Sequence, residues 1–146
     1  MKAEQIFSIA NGLALVSWII LAVAPRWVLT RKIILSGAIP LLLSVAYLVI
    51  IVLFFGSAEG SFSSLAGVMK LFTHEWAVLG GWIHYLAFDL LVGSWEVKDA
   101  QEKGISHWFV IPCLFFTFML GPIGFLMYSV LRFFLAKEAT NVEGTV

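Results

Sequence analysis

The chain has 146 residues, 61% hydrophobic and 12% charged, with a mean hydropathy of +0.99. A soluble domain carries about 45–50% apolar and about 25% charged residues, so this composition is that of an integral membrane protein. Zero net charge without a basic tract argues against a nucleic-acid partner, and the single cysteine, Cys113, excludes an internal disulfide or a cysteine-based metal cluster.

Four apolar stretches predict four membrane-spanning helices. Each is close to the roughly 20 residues needed to cross about 30 Å of hydrocarbon. They are continuous runs without period-two alternation, which argues against a β-barrel. The first covers residues 6–24. It follows Lys2 and ends in Ala22-Val23-Ala24, which resembles a signal-peptide cleavage site. However, it exceeds the roughly 7–15 residues of a signal-peptide core, Glu4 interrupts the basic start, and Pro25 would follow the cut. A permanent span is expected, and no transit peptide is evident.

The second span covers residues 33–55 and contains Pro40, which leaves the Ser36 carbonyl without its helical donor and predicts a kink. Residues Ser61–Phe72 read equally well as a short interfacial helix or a plain loop. The third span covers residues 76–95 and leads into a polar loop, "EVKDAQEKGIS". The fourth covers residues 108–131, interrupted by Gly121-Pro122 and Gly124, where a proline kink is expected at the Phe118 carbonyl. Arg132 and a polar tail from Lys137 follow. The expected fold is all-α and polytopic: one domain forming a compact antiparallel four-helix transmembrane bundle. Four spans put both termini on one side. The short loops carry five positive side chains against four on the terminal side, a slight lean toward cytoplasmic loops.

Antiparallel spans sort residues by depth. His84 and Asp89 each fall within roughly 5 Å of the midplane, on opposite sides of it. His84 matches Asn11 and Tyr47 in depth; Asp89 matches Ser17, Thr117 and Trp18. Arg132 lies about 22 Å from Asp89 along the axis and is excluded as its counter-ion. Five residues of helix separate His84 from Asp89 by about 140°, so they share no face. Gly81, Tyr85, Asp89 and Gly93 form one stripe suited to close packing; His84, Phe88, Leu91 and Trp95 form another.

An intramembrane acid is a functional candidate by default, although Asp89 as glue between helices explains the same pattern. For His84 the plain reading is a ring nitrogen bonded to a freed carbonyl or to Asn11. His74-Glu75 reads as an interfacial pair, since no spacing for several metal ligands is present. Trp27, Trp76, Trp95 and Trp108 sit at span ends, as amphipathic rings prefer. Trp18 and Trp82 lie deeper, in the core or along a pocket. No span contains a lysine for a Schiff base, and no histidine pair shares a depth for haem. Phosphate loops, nucleophile elbows and HExxH are absent. No cofactor or metal is called for.

The second half, "WIHYLAFDLLVGSWEVKDAQEKGISHWFVIPCLFFTFMLGPIGFLMYSVLR", resembles the abscisic-acid-deficient-four-like family, whose plant members are linked to synthesis of the xanthophyll neoxanthin. The resemblance rests on Trp82 and His84, Asp89-Leu90, Asp99 in the loop, His107, and Gly121-Pro122. It implies an intramolecular isomerisation of a carotenoid-like substrate. A 5,6-epoxide opens as a neighbouring proton is lost, leaving an alcohol and an allene, with no redox cofactor required. In that chemistry Asp89 is the desolvated acid and His84 the base. Asn11, Tyr47, Trp82, Tyr85, Thr117 and Pro122 are the candidate substrate contacts. A non-catalytic protein that binds a carotenoid, lipid or partner helix fits the same residues, so whether the chain is an enzyme stays open. Expected partners are membrane lipid and a lipophilic ligand; a homo-oligomer is also open. Compactness and the missing transit peptide point to a multi-pass protein of a bacterial inner membrane.

Overall fold

The structure is a computed structural model that describes residues 2–54, 56 and 59–136. Among these the chain is all-α. Its helices are α1 (Ala3–Val23), a π-helical turn (Thr30–Ile34), α2 (Ala38–Phe54), α3 (Leu65–Leu71), α4 (Glu75–Glu102), α5 (His107–Leu120) and α6 (Pro122–Leu135). Three stretches are long and apolar enough to cross a membrane: Ala3–Val23, Thr30–Phe54 and Glu75–Glu102. Phe55, the expected end of the second span, and the tail from Lys137 lie outside the described residues. The chain divides into two compact units, residues 1–91 and 92–146, and α4 contributes to both.

In the first unit α1, α2 and the first part of α4 share an apolar core. Ala10 and Ala14 of α1, Leu43 and Ile50 of α2, and Leu79, Ile83, Leu86 and Ala87 of α4 are all buried there. Small residues let helix backbones approach in a membrane protein, where lipid gives little hydrophobic drive between helices. Gly80 does the same on α4: a Cβ added there would stand 3.3 Å from Ile51 Cδ1. α1 ends before Pro25, which cannot continue it. The buried Thr30 hydroxyl donates to the Ala24 carbonyl at 2.7 Å and closes the turn. Pro40 does not kink a span. The chain turns at Gly37 (φ +83°) and α2 begins at Ala38, so Pro40 falls in the first turn, where a missing N–H costs nothing. Between α2 and α4, residues 65–71 are helical, with the Ser64 hydroxyl accepting from the Gly67 amide at 3.1 Å.

The second unit departs from expectation twice. The segment "EVKDAQE" is not a loop, because α4 runs through it to Glu102. Its residues are mostly good helix formers, and no glycine or proline intervenes before Gly104 (φ +68°). Second, the fourth apolar run is not one span. At Gly121 (φ +43°) the chain reverses, and Pro122 takes the favoured first position of α6 instead of kinking a continuous helix. A Cβ on Gly124 would collide with the backbone and hydroxyl of Thr117, seven residues earlier. A groove of about 700 Å³ is lined by Trp108 and Pro112 of α5 together with Leu126, Val130 and Phe134 of α6. The two helices therefore run antiparallel as a hairpin. Each arm has 14 residues, about 21 Å at 1.5 Å per residue, which is short of a crossing. Residues 108–131 thus form parts of two short helices instead of one long span, and the expected four-helix bundle is not confirmed.

Candidate functional site

Within the first unit, the sequence-predicted residues sort onto different faces of α4. Asp89 is half-buried and hydrogen-bonded to the Tyr85 hydroxyl one turn earlier. Its Oδ2 is buried without a hydrogen-bond partner among the described residues. The depth-matched Ser17 does not serve it, because the Ser17 hydroxyl donates to the Leu13 carbonyl at 2.7 Å. Tyr85 also lies 5.4 Å from Trp82, centroid to centroid.

His84 is exposed, as are Phe88, Leu91 and Trp95 of the same stripe. Its imidazole stacks on Phe88 at 4.6 Å and lies tilted against Tyr47 at 5.6 Å. The Tyr47 match thus holds in space. The Asn11 match does not: Asn11 Oδ1 accepts from Trp82 Nε1 at 2.8 Å. His84 and Asp89 are not brought together, so no acid–base pair is assembled from them.

Two cavities flank the start of α4. One, of about 300 Å³, lies on the α1 side, with Phe7, Val78, Leu79 and Trp82 as apolar walls and Glu4, Thr73 and Glu75 as its polar residues. The other, of about 200 Å³, is bordered by α2, α3 and α4, and includes Tyr47 and His84. α3 is tied to the preceding segment by a 2.7 Å ion pair between Lys70 Nζ and Glu59. The hydrogen bond from Lys70, and then its charge, hold the Glu59 carboxyl below the usual glutamate range.

The second unit contains a polar cluster that the sequence reading missed. Glu96 is fully buried and accepts from the Thr117 hydroxyl at 2.9 Å. Thr117 therefore serves Glu96 and not Asp89. Asp99, expected in a loop, is a buried helical residue. Its Oδ2 accepts from the Tyr128 hydroxyl at 2.7 Å and from Arg132 Nε at 2.6 Å. Trp95 packs edge-on against Tyr128 at 5.4 Å. Cys113 is buried, with its thiol 3.6 Å from the Phe109 carbonyl, as a small apolar residue would sit. The missed signal was spacing: Glu96 and Asp99 are three apart, and Tyr128 and Arg132 are four apart. Each pair shares a helix face once both segments are read as helical.

Residues 5–128 match the family described as ABA DEFICIENT 4-like. Among curated proteins, "Protein ABA DEFICIENT 4, chloroplastic" of Arabidopsis thaliana is 24% identical over 139 residues, covering 89% of this chain. The chain spans 61% of that relative's length. No solved structure matches it.

Proposed function

The chain belongs to the ABA DEFICIENT 4-like family, and from that premise we propose that it is a membrane protein that takes up a carotenoid-like lipophile and isomerises it at Asp89. The resemblance to plant members linked to neoxanthin synthesis supplies the substrate class. The observation that carries the reading is the Asp89 carboxyl. It lies in an apolar helix, with one contact to Tyr85 and with Oδ2 buried and unspent. A polar group kept in such surroundings marks a functional position.

The proposed reaction moves no electrons to or from an outside partner. The protonated Asp89 carboxyl gives its proton to the oxygen of a 5,6-epoxide as one C–O bond breaks. The proton on the adjacent carbon leaves, and its bonding pair completes the allene. The carboxylate created by the first transfer accepts that second proton, so Asp89 ends as it began and the product is an isomer of the substrate. A single carboxyl serving in turn as acid and base dispenses with His84 as the base. Tyr85, hydrogen-bonded to Asp89, fixes the carboxyl's orientation.

A second reading, binding without turnover, is favoured by the separation of His84 from Asp89. His84 makes aromatic contacts and borders a cavity of its own. Expression in a host that accumulates epoxy-carotenoids, followed by pigment extraction from membranes and from the purified protein, separates the two. Converted pigment that disappears in Asp89→Asn supports isomerisation. Unconverted pigment that copurifies with the protein supports binding. A protein that neither alters nor retains pigment would sink both.

A further inference from the structure

The bare position Gly81 opens α4 toward α3: a Cβ there would stand 3.3 Å from the Phe72 ring. Beside it lies the cavity of about 200 Å³, with Ile51, Leu71, Phe72 and Gly81 among its apolar walls. Tyr47 and His84 are its polar residues, their rings 5.6 Å apart and tilted by 57°.

The volume restricts the occupant. An apolar cavity of about 150 Å³ accepts benzene, whereas drug-sized ligands occupy roughly 300–1,000 Å³. One substituted six-membered ring fits here and a whole long-chain lipid does not. The remainder of such a molecule has an apolar path outside, since Leu48, Val52, Phe88 and Leu91 are exposed on α2 and α4.

The polar residues restrict it further. A phenol and a neutral imidazole each carry one donor and one acceptor site. A ring hydroxyl both donates and accepts, so it can satisfy the two together. A ketone or ether only accepts, and a bare hydrocarbon ring would cover these groups without pairing either.

The cover over this cavity is light. α3 has seven residues, of which Leu71 alone is buried. It is held by the Ser64 cap and the exposed Lys70–Glu59 pair. Elements with few buried contacts open locally at little cost.

We propose that the cavity between α2, α3 and α4 binds a hydroxyl-bearing six-membered ring at the end of a lipophilic molecule, with α3 as its cover and His84 and Tyr47 holding the hydroxyl. This rests on the reading of a lipophile handled by the first unit, and it assigns the part of that molecule which is recognised. The site is distinct from Asp89, which does not line this cavity.

Photolabelling in phosphatidylcholine nanodiscs tests it. The probe is a 4-alkylcyclohexanol with a spiro-diazirine on its ring, compared with the matching diazirine-bearing cyclohexane lacking the hydroxyl. The alcohol should label peptides covering residues 71–84, excess 4-tert-butylcyclohexanol should compete, and the cyclohexane should label at least tenfold less. Gly81→Leu, which fills the cavity, should lower alcohol labelling at least tenfold. His84→Phe keeps an aromatic ring but should abolish the preference for the alcohol. Uncompeted labelling spread over Leu48, Val52 and Phe88 overturns the proposal, as does competed labelling that survives Gly81→Leu. Should Gly81→Leu lose its helical signal, His84→Phe decides alone, and an unchanged alcohol preference defeats the idea. Pigment conversion that persists in Gly81→Leu removes the cavity from the reaction and leaves the proposed function standing. Competed ring labelling in a protein that converts nothing does the reverse.

Discussion

Arg132 meets Asp99: its Nε lies 2.6 Å from Asp99 Oδ2, the same oxygen that accepts the Tyr128 hydroxyl at 2.7 Å. One buried carboxylate oxygen thus receives two donors from one face of α6. The relationship explains how α4 can continue through a polar segment and bury it. Asp99 loses water, and a buried charge is tolerated only when paired and hydrogen-bonded. The hairpin supplies its partners, Tyr128 and Arg132 from α6, and Thr117 of α5 donates to the buried Glu96.

Removing one of those donors should loosen the hairpin. Tyr128→Phe keeps the buried ring and its edge contact with Trp95 but deletes the hydroxyl. The expected loss is roughly 1–3 kcal/mol, the range for leaving a buried acceptor short of a partner. It should appear as a lower unfolding midpoint in detergent. Asp99→Asn and Arg132→Gln should each destabilise as well. The double variant should be less damaged than the sum of the two, because both single changes remove the same contact. Strict additivity would show that the contact contributes nothing.

Gly124 should not tolerate a side chain. A Cβ there runs into the Thr117 backbone, which cannot move aside as a flexible side chain can. Gly124→Ala is therefore expected to abolish the close approach of the two arms and reduce the yield of folded protein sharply. Gly12→Ala is the control. That position lies inside α1 with nothing within 4 Å of the added carbon, and alanine is the better helix former. Size-exclusion profiles and thermal midpoints of the two variants in one detergent make the comparison. Equal behaviour would refute the packing argument.

The sequence announces apolar runs plainly, and α1, α2 and the apolar part of α4 follow from them. Direction is harder to read. A continuous run such as residues 108–131 has the same composition whether it crosses a membrane once or doubles back. Gly121-Pro122 is compatible with a kink and with a reversal, and the backbone sign at Gly121 (φ +43°) chooses between them. Depth matching found the Tyr47–His84 contact because both residues lie in helices that are long and apolar enough to cross as expected. It gave Asn11 to His84 because depth carries no azimuth; Trp82, two residues earlier on α4, takes the amide oxygen instead. Depth matching also failed for Thr117, whose level was inferred from a span that the chain does not make. Asp99 was hidden by a general association of charge with loops. Glutamate, lysine, alanine and glutamine are good helix formers, and "EVKDAQE" has no breaker in it.

A hairpin in place of a fourth span would change the sidedness of the chain, and charge supplies an independent reason to expect the change. Three crossings would carry the chain to the face opposite Lys2, and a hairpin would leave it on that same face. On that reckoning, of the described residues, Arg26, Arg31, Lys32, Lys98, Lys103 and Arg132 would belong to one side, leaving Lys2 and Lys70 on the other. Five against three under four crossings becomes six against two. The positive-inside rule then predicts the α4–α5 turn in the cytoplasm and Lys2 outside it. Single cysteines at Lys2, Ser106 and Ala136, in a Cys113→Ala background, can be labelled with a membrane-impermeant maleimide in intact cells and in inverted vesicles. The cysteine replacing Lys2 should react in cells, and those replacing Ser106 and Ala136 only in inverted vesicles. Four crossings would instead group Lys2 with Ala136 and leave Ser106 alone, so the position that Ala136 joins decides between a hairpin and a fourth span.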